Sequence, residues 1–223
     1  MKLLPRLALM LLFFAAPVAK AAFTNLDFES ATVVLSTPVF GYLDWNLAVP
    51  GWSHGDGADT SIVYYTYPHA GTTQYYQLID NTMFPRPLEG TYSLAMKNGY
   101  FSSSPSPWTQ ASIFQTGLIP ADAFSVHVLA TGSLRFLVNG NVVPMSHLTG
   151  NEYVGDISAY AGTTAEIKIV NAALEGNISL LTVDNVSFSV TPAPEPSRAL
   201  LALIGSGAVL ARRRRTPRHS RFD

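Results

Sequence analysis

Strict two-residue alternation over long stretches most constrains how this chain can fold. Phe124, Val126, Val128 and Ala130 alternate with polar or small residues, and Leu134, Phe136 and Val138 continue the same period. Side chains two apart point to one face of a strand, so this pattern predicts strands with one buried and one wet face. Asn139-Gly140 lies between Leu134–Val138 and Asn141–Met145. Asn-Gly favours the left-handed conformations of a two-residue hairpin turn, which makes this the strongest hairpin signal in the chain. Ala165, Ile167 and Ile169 alternate with Glu166 and Lys168, and Val186, Phe188 and Val190 give a last strand.

Earlier predicted strands are Phe23–Glu29, Thr60–Thr66, Gln74–Ile79, Thr91–Met96 and Ala111–Gln115, joined by loops rich in Gly, Pro and Ser. Between residues 22 and 193 no sustained helical stripe with caps occurs, and no internal repeat favours a propeller or solenoid. The expectation is an all-β body, an antiparallel β-sandwich, most simply a jelly roll. A body of this length can bury enough surface to fold without disulfides, and the chain has no cysteine.

The two ends read differently. Lys2 and Arg6 precede an apolar run, Leu7 to Ala16, and Ala19-Lys20-Ala21 is a small-x-small cleavage site. Residues 1–21 therefore read as a signal peptide with a short helix, the mature chain starting near Ala22; an uncleaved anchor is the alternative. At the other end Ala199 to Ala211 carries no charge and is followed by Arg212, Arg213, Arg214 and Arg215. As a helix rising 1.5 Å per residue the run spans roughly 20 Å, short for a bilayer core of about 30 Å unless its flanks are recruited. A buried core helix is the competing reading. The arginines favour a short transmembrane helix over 199–211, because they hold that end on the cytoplasmic side, with 216–223 a cytoplasmic basic tail.

Pro194-Glu195-Pro196-Ser197, the apolar run and the arginine stop together resemble the PEP-CTERM sorting tail of bacterial envelope proteins, over residues 194–215. The resemblance implies that Pro194, Glu195 and Pro196 are read by an exosortase-like membrane enzyme. It implies a protein exported to the cell envelope or beyond, first anchored in the inner membrane. Thr216 to Asp223 extends past the point where such tails usually stop.

Set apart from these ends, residues 22–193 form the β domain, and their charge is strongly negative. The only Lys and Arg residues there are Arg86, Lys97, Arg135 and Lys168, against thirteen Asp and Glu, a formal charge near −9. Nucleic-acid binding needs clustered basic side chains and is disfavoured. Divalent-cation recruitment suits such a surface.

Asn25-Leu26-Asp27-Phe28-Glu29, Val49-Pro50-Gly51-Trp52 and Val183-Asp184-Asn185-Val186 resemble the galactose-binding-like jelly rolls of carbohydrate-binding modules. There the first and last strands run side by side, and a structural calcium often sits between them. The matching positions are Glu29 and Asp184. Two carboxylates cannot complete a shell of six to eight oxygens, so backbone carbonyls would have to add to it. The plainer reading is that Asp27 and Glu29 simply face solvent on a strand. His54-Gly55-Asp56-Gly57-Ala58-Asp59 lacks the frame of a calcium loop and reads as a turn.

If Thr60–Thr66 and Gln74–Ile79 form a hairpin, Tyr64 and Tyr75 share one face, and with Trp52 and Trp108 in loop-like contexts they are candidate sugar-stacking residues. Each ring joins an apolar face to a polar tip. The alternative is that tyrosines suit strands and tryptophans fill cores. No metalloprotease helix, nucleophile elbow or phosphate loop occurs in the body. His127, on an apolar strand, is expected to face solvent or make a structural hydrogen bond. The functional expectation is a non-catalytic module binding glycan or exopolysaccharide. The alternatives are a secreted polysaccharide hydrolase and a self-associating surface protein.

Overall fold

The computed structural model describes residues 21–37, 41–55, 62–65, 74–83, 85–100, 108–172 and 178–194. The first strands are β1 (Leu35–Thr37), β2 (Tyr42–Asp44), β3 (Ser53–His54), β4 (Ile62–Tyr64), β5 (Tyr75–Asp80) and β6 (Tyr92–Lys97). Next come β7 (Gly99–Tyr100), β8 (Trp108–Thr109), β9 (Ser112–Leu118), β10 (Ser125–Thr131) and β11 (Leu134–Val138). The last are β12 (Asn141–Val143), β13 (Met145–His147), β14 (Glu152–Asp156), β15 (Thr164–Asn171) and β16 (Leu180–Ser189).

They form two main sheets, ordered β1-β2-β4-β5-β6-β16-β10-β14-β13 and β12-β11-β15-β9-β3, with β7 and β8 as a separate pair. Pairing is antiparallel except between β4 and β5, and the architecture is an antiparallel β-sandwich.

Alternation explains the core. Val126, Val128 and Ala130 of β10 and Leu181 and Val183 of β16 are buried in the same cluster as Ile167 and Ile169 of β15 and Phe136 and Val138 of β11. The intervening Glu166 and Lys168 remain partly exposed. The Asn-Gly hairpin forms as its sequence predicts: Asn139 and Gly140 both have positive φ, 49° and 76°, and join β11 to β12. The Asn139 carboxamide also accepts the Glu166 N–H at 2.9 Å, tying the turn to β15.

Three strand expectations are corrected. The run Asn141–Met145 is not one strand. Pro144 lacks the N–H that would continue the ladder, and the chain passes there from β12 in one sheet to β13 in the other. The two tyrosine-bearing strands do not form a hairpin: β4 and β5 run parallel, Tyr64 opposite Gln77, and β4 takes its antiparallel partner, β2, on its other side. Phe23–Glu29 is not a strand. Asn25 and Phe28 have φ of 50° and 58°, which breaks the extended backbone into a turn.

The last strand contains the irregularity that matters most. His127 pairs with Ser187 but Leu129 pairs with Asp184, so two residues of β16 oppose one of β10. Asn185, at φ 38°, is left-handed at this bulge. A β-bulge re-aims the side chains around it and recurs beside functional sites.

Candidate functional site

The N-terminal turn docks beside this bulge. The Asn25 carboxamide accepts the Ser30 N–H at 2.9 Å and donates to the Pro50 carbonyl at 3.1 Å. Trp52 Nε1 donates to the Asn25 carbonyl at 2.9 Å, and its ring stacks on Phe28 with centroids 5.6 Å apart. Val186 then donates its N–H to the Leu26 carbonyl at 2.9 Å, which lays residues 25–29 against β16. The first segment and the last strand are thus neighbours, although the first segment is a turn.

Asp27, Glu29, Glu89, Gly90, Asp184 and Asn185 line a cleft of about 250 Å³ at this junction. Glu29 Oε1 accepts the N–H groups of Thr91 and Tyr92 at 2.7 and 3.0 Å. Gly90 is required beneath it: a Cβ there would lie 2.3 Å from Oε1, and the backbone is left-handed at φ 58°. Asp184, 1% exposed, accepts Ser93 Oγ–H at 2.6 Å and the Glu89 N–H at 3.0 Å on Oδ2, and the Asn185 N–H at 2.8 Å on Oδ1. Asn185 Nδ2 donates to Glu89 Oε2 at 2.6 Å.

Four carboxylates therefore face one small space, with no Lys or Arg among the described residues that line it. Burial, and secondarily the charge of Glu29, push the Asp184 carboxyl up to about 6, against the pull of its three hydrogen bonds. An oxygen-only anionic donor set fits a hard divalent cation such as calcium rather than zinc. Carboxylate lone pairs remain free on Glu29 Oε2, the oxygen its backbone donors do not use. Among the described residues, however, no three His, Cys, Asp or Glu side chains converge closely enough to hold an ion by themselves. Glu29 and Asp184 would hold such an ion only with carbonyl or water oxygens completing its shell.

A second polar line crosses β10 and β14. His127 Nδ1 faces Glu152 Oε1 at 2.7 Å and Nε2 faces Ser125 Oγ at 3.2 Å. The connectivity is that of a Ser-His-Glu triad, but Ser125 is fully buried and its hydroxyl donates to the Thr191 carbonyl at 2.6 Å. Ser125 thus faces the ring as an acceptor, the reverse of an activated nucleophile, and the line fastens the chain end to the sheet. His127 does make the structural hydrogen bond expected of it.

Two proposed stacking residues are corrected. Trp52 is 3% exposed, clamped between Phe28 and its bond to Asn25, and presents no ring face to a ligand. Tyr75 is 6% exposed, with Lys97 Nζ 5.1 Å from its ring centroid. Both follow the general tendency of large rings to fill the interior when strands pack on both faces. The side chains of Tyr64 and Trp108 lie outside the described residues, as do Asp56 and Asp59. His54 packs edge-on against Trp45 at 4.7 Å, and burial holds its pKa below the ordinary value.

Pro194 is exposed at the end of the described chain. Residues 1–20, Glu195, Pro196, the apolar run and Arg212 to Arg215 lie outside it. Among the described residues no helix is long and apolar enough to cross a membrane. Sequence reasoning paired Glu29 with Asp184 but missed Glu89 and Asn185 as their neighbours. Glu89 sits in a loop with no periodic signal, and Asn185 enters only through the bulge.

No protein-family profile matches this chain, and no curated protein does. Among solved structures it is similar to the enzymatically active domain of tailspike protein 4 of bacteriophage CBA120, at 18% identity and a TM-score of 0.31. That match covers 62% of this chain and 19% of the tailspike chain. A cupin 2 domain-containing protein from Halorhodospira halophila matches at 15% identity and a TM-score of 0.21, over 75% of this chain and 98% of that one. Superpositions this loose carry no argument about function.

Proposed function

We propose that this is an exported cell-envelope or matrix protein, sorted through its C-terminal tail by an exosortase-type enzyme. Its jelly-roll body binds glycan or exopolysaccharide without chemistry and carries calcium at Glu29 and Asp184. The observation that carries the binding reading is the acidic cleft at the bulge, where four carboxylates and an amide face solvent-accessible space with no basic side chain among the described lining residues. A bound divalent cation would neutralise that charge and leave oxygen acceptors at the rim for a polyhydroxylated ligand. The sorting reading rests on the order of Pro194-Glu195-Pro196, the apolar run and the four arginines.

One observation favours a hydrolase instead. Burial raises the Asp184 carboxyl to about 6, the direction that keeps a carboxylic acid protonated for general-acid chemistry, and Glu29 lines the same cleft. A single experiment separates the two. Residues 22–193 are screened against glycans and exopolysaccharides with calcium and with EDTA, and released reducing sugar is assayed in parallel. Retention that EDTA weakens, with no product, supports the binding module. Sugar release lost in Asp184→Asn supports the hydrolase, and a negative in both arms sinks both readings.

A further inference from the structure

Two exposed apolar side chains stand together at one pole of the sandwich, where the chain also enters and leaves. Phe124 is 47% exposed and Val190 61%. Both adjoin the end of the β10–β16 ladder, where Ser125 pairs with Ser189, and the Phe124 N–H donates to the Ser189 carbonyl at 2.8 Å. The exit of the chain is held firmly here: the Thr191 carbonyl accepts Ser125 Oγ–H at 2.6 Å and the Thr191 N–H donates to Ser189 Oγ at 3.0 Å. The entry lies at the same pole. Leu118, the last residue of β9 and six before Phe124, donates its N–H to the Ala21 carbonyl at 2.8 Å.

Chain length then limits how far this pole can stand from the apolar tail. Ala199, the first residue of the uncharged run, follows Val190 by nine positions, a reach of at most about 32 Å even when fully extended. With the reading of that run as a transmembrane helix as its premise, we infer that the Phe124–Val190 pole is a membrane-docking face. It inserts these two side chains into the interfacial region of the bilayer that anchors the tail. Leu180, at the far end of β16, is also exposed but lies about 33 Å from Val190 at 3.3 Å per strand residue, so it faces away from the lipid. Asp122 and Asp156 are exposed near the docking pole, which points to a zwitterionic surface rather than an anionic one.

The absence of cysteine makes the test direct. Phe124→Cys, Val190→Cys, Leu180→Cys and Leu203→Cys are made singly in the full chain and labelled with an environment-sensitive fluorophore. Each is reconstituted in phosphatidylcholine vesicles, with or without bromine on the upper acyl chain, after circular dichroism shows the native β spectrum. Docking predicts loss of most emission at positions 124, 190 and 203 in brominated vesicles and none at 180. Quenching at 203 with 124 and 190 as unaffected as 180 would overturn the docking face while leaving the membrane tail intact. No quenching at 203 would overturn the tail reading and the docking face with it. A spectral shift at 124 that needs no lipid and grows with protein concentration would assign the patch to a second copy of the chain, and would also overturn the proposal.

Discussion

Replacing Asp184 by Asn separates the electrostatic cost of the acidic cleft from its hydrogen bonding. The Asp184 carboxyl has a folded-state pKa of about 6 against an ordinary 3.8, mainly because it is buried. The folded protein therefore holds that proton more tightly than the unfolded chain does. Its stabilising contribution is fully present below pH 3.8 and is lost as pH rises through about 6. Two pKa units at 1.36 kcal/mol each make this loss about 3 kcal/mol, as an order of magnitude. Asn carries no such charge, but its amide cannot accept on both sides. One side of the site keeps the Ser93 and Glu89 donors or the Asn185 donor, and the other meets an N–H, a loss of about 1–3 kcal/mol. Asp184→Asn should thus be less stable than the parent at pH 4 and equal or more stable at pH 8 without calcium. Urea unfolding of both proteins across this range, in EDTA, reads the difference directly. Contributions from His54, Asp80 and Asp156 occur in both proteins and cancel. Millimolar calcium should restore the parent's stability at pH 8 and do little for the variant. A stability difference that stays constant from pH 4 to pH 8 would refute the claim that buried charge dominates this site.

Gly90→Ala should displace the Glu29 carboxylate and lower stability by about 1–3 kcal/mol, the cost of a left-handed non-glycine residue together with a steric clash; calcium-dependent change in melting temperature should disappear with it. Trp52→Phe keeps most of the stack on Phe28 but leaves the Asn25 carbonyl only the long 3.4 Å bond from the Phe28 N–H, so chemical denaturation should report about 0.5–1.5 kcal/mol lost. Glycan retention, if present, should survive that change, and its loss would argue for a direct role of the indole. Gly140→Ala meets no atom within 4 Å and suffers only backbone strain at φ 76°, so urea unfolding should show a loss of about 1 kcal/mol without change of fold.

Legibility followed the range of the interactions. Alternation in Ser125–Thr131, Leu134–Val138 and Thr164–Asn171 marked strands because period and burial are both local properties of a chain half-immersed in a core. The Asn139-Gly140 turn was legible for the same reason: two adjacent residues hold their own φ values. Trp52 and Tyr75 were not, since a ring in a strand or loop looks alike in sequence whether a second layer covers it or solvent does. The β4–β5 pairing was misjudged because nearness in sequence favours a hairpin, while β2 had already taken the antiparallel edge of β4.

By itself, then, the sequence determined the all-β character, the turn at Asn139-Gly140 and the negative charge of residues 22–193. Each follows from residue type and spacing within a few positions. Tertiary structure alone decided that Asp27 and Glu89 join Glu29 and Asp184 in one cleft. That meeting depends on two left-handed residues that fold 25–29 into a turn, on the hydrogen bond from Val186 to Leu26, and on one extra residue in β16 opposite β10. Contacts across 95 positions, such as the Glu89 N–H on Asp184, arise only when distant strands fix their register, and no local pattern encodes that register.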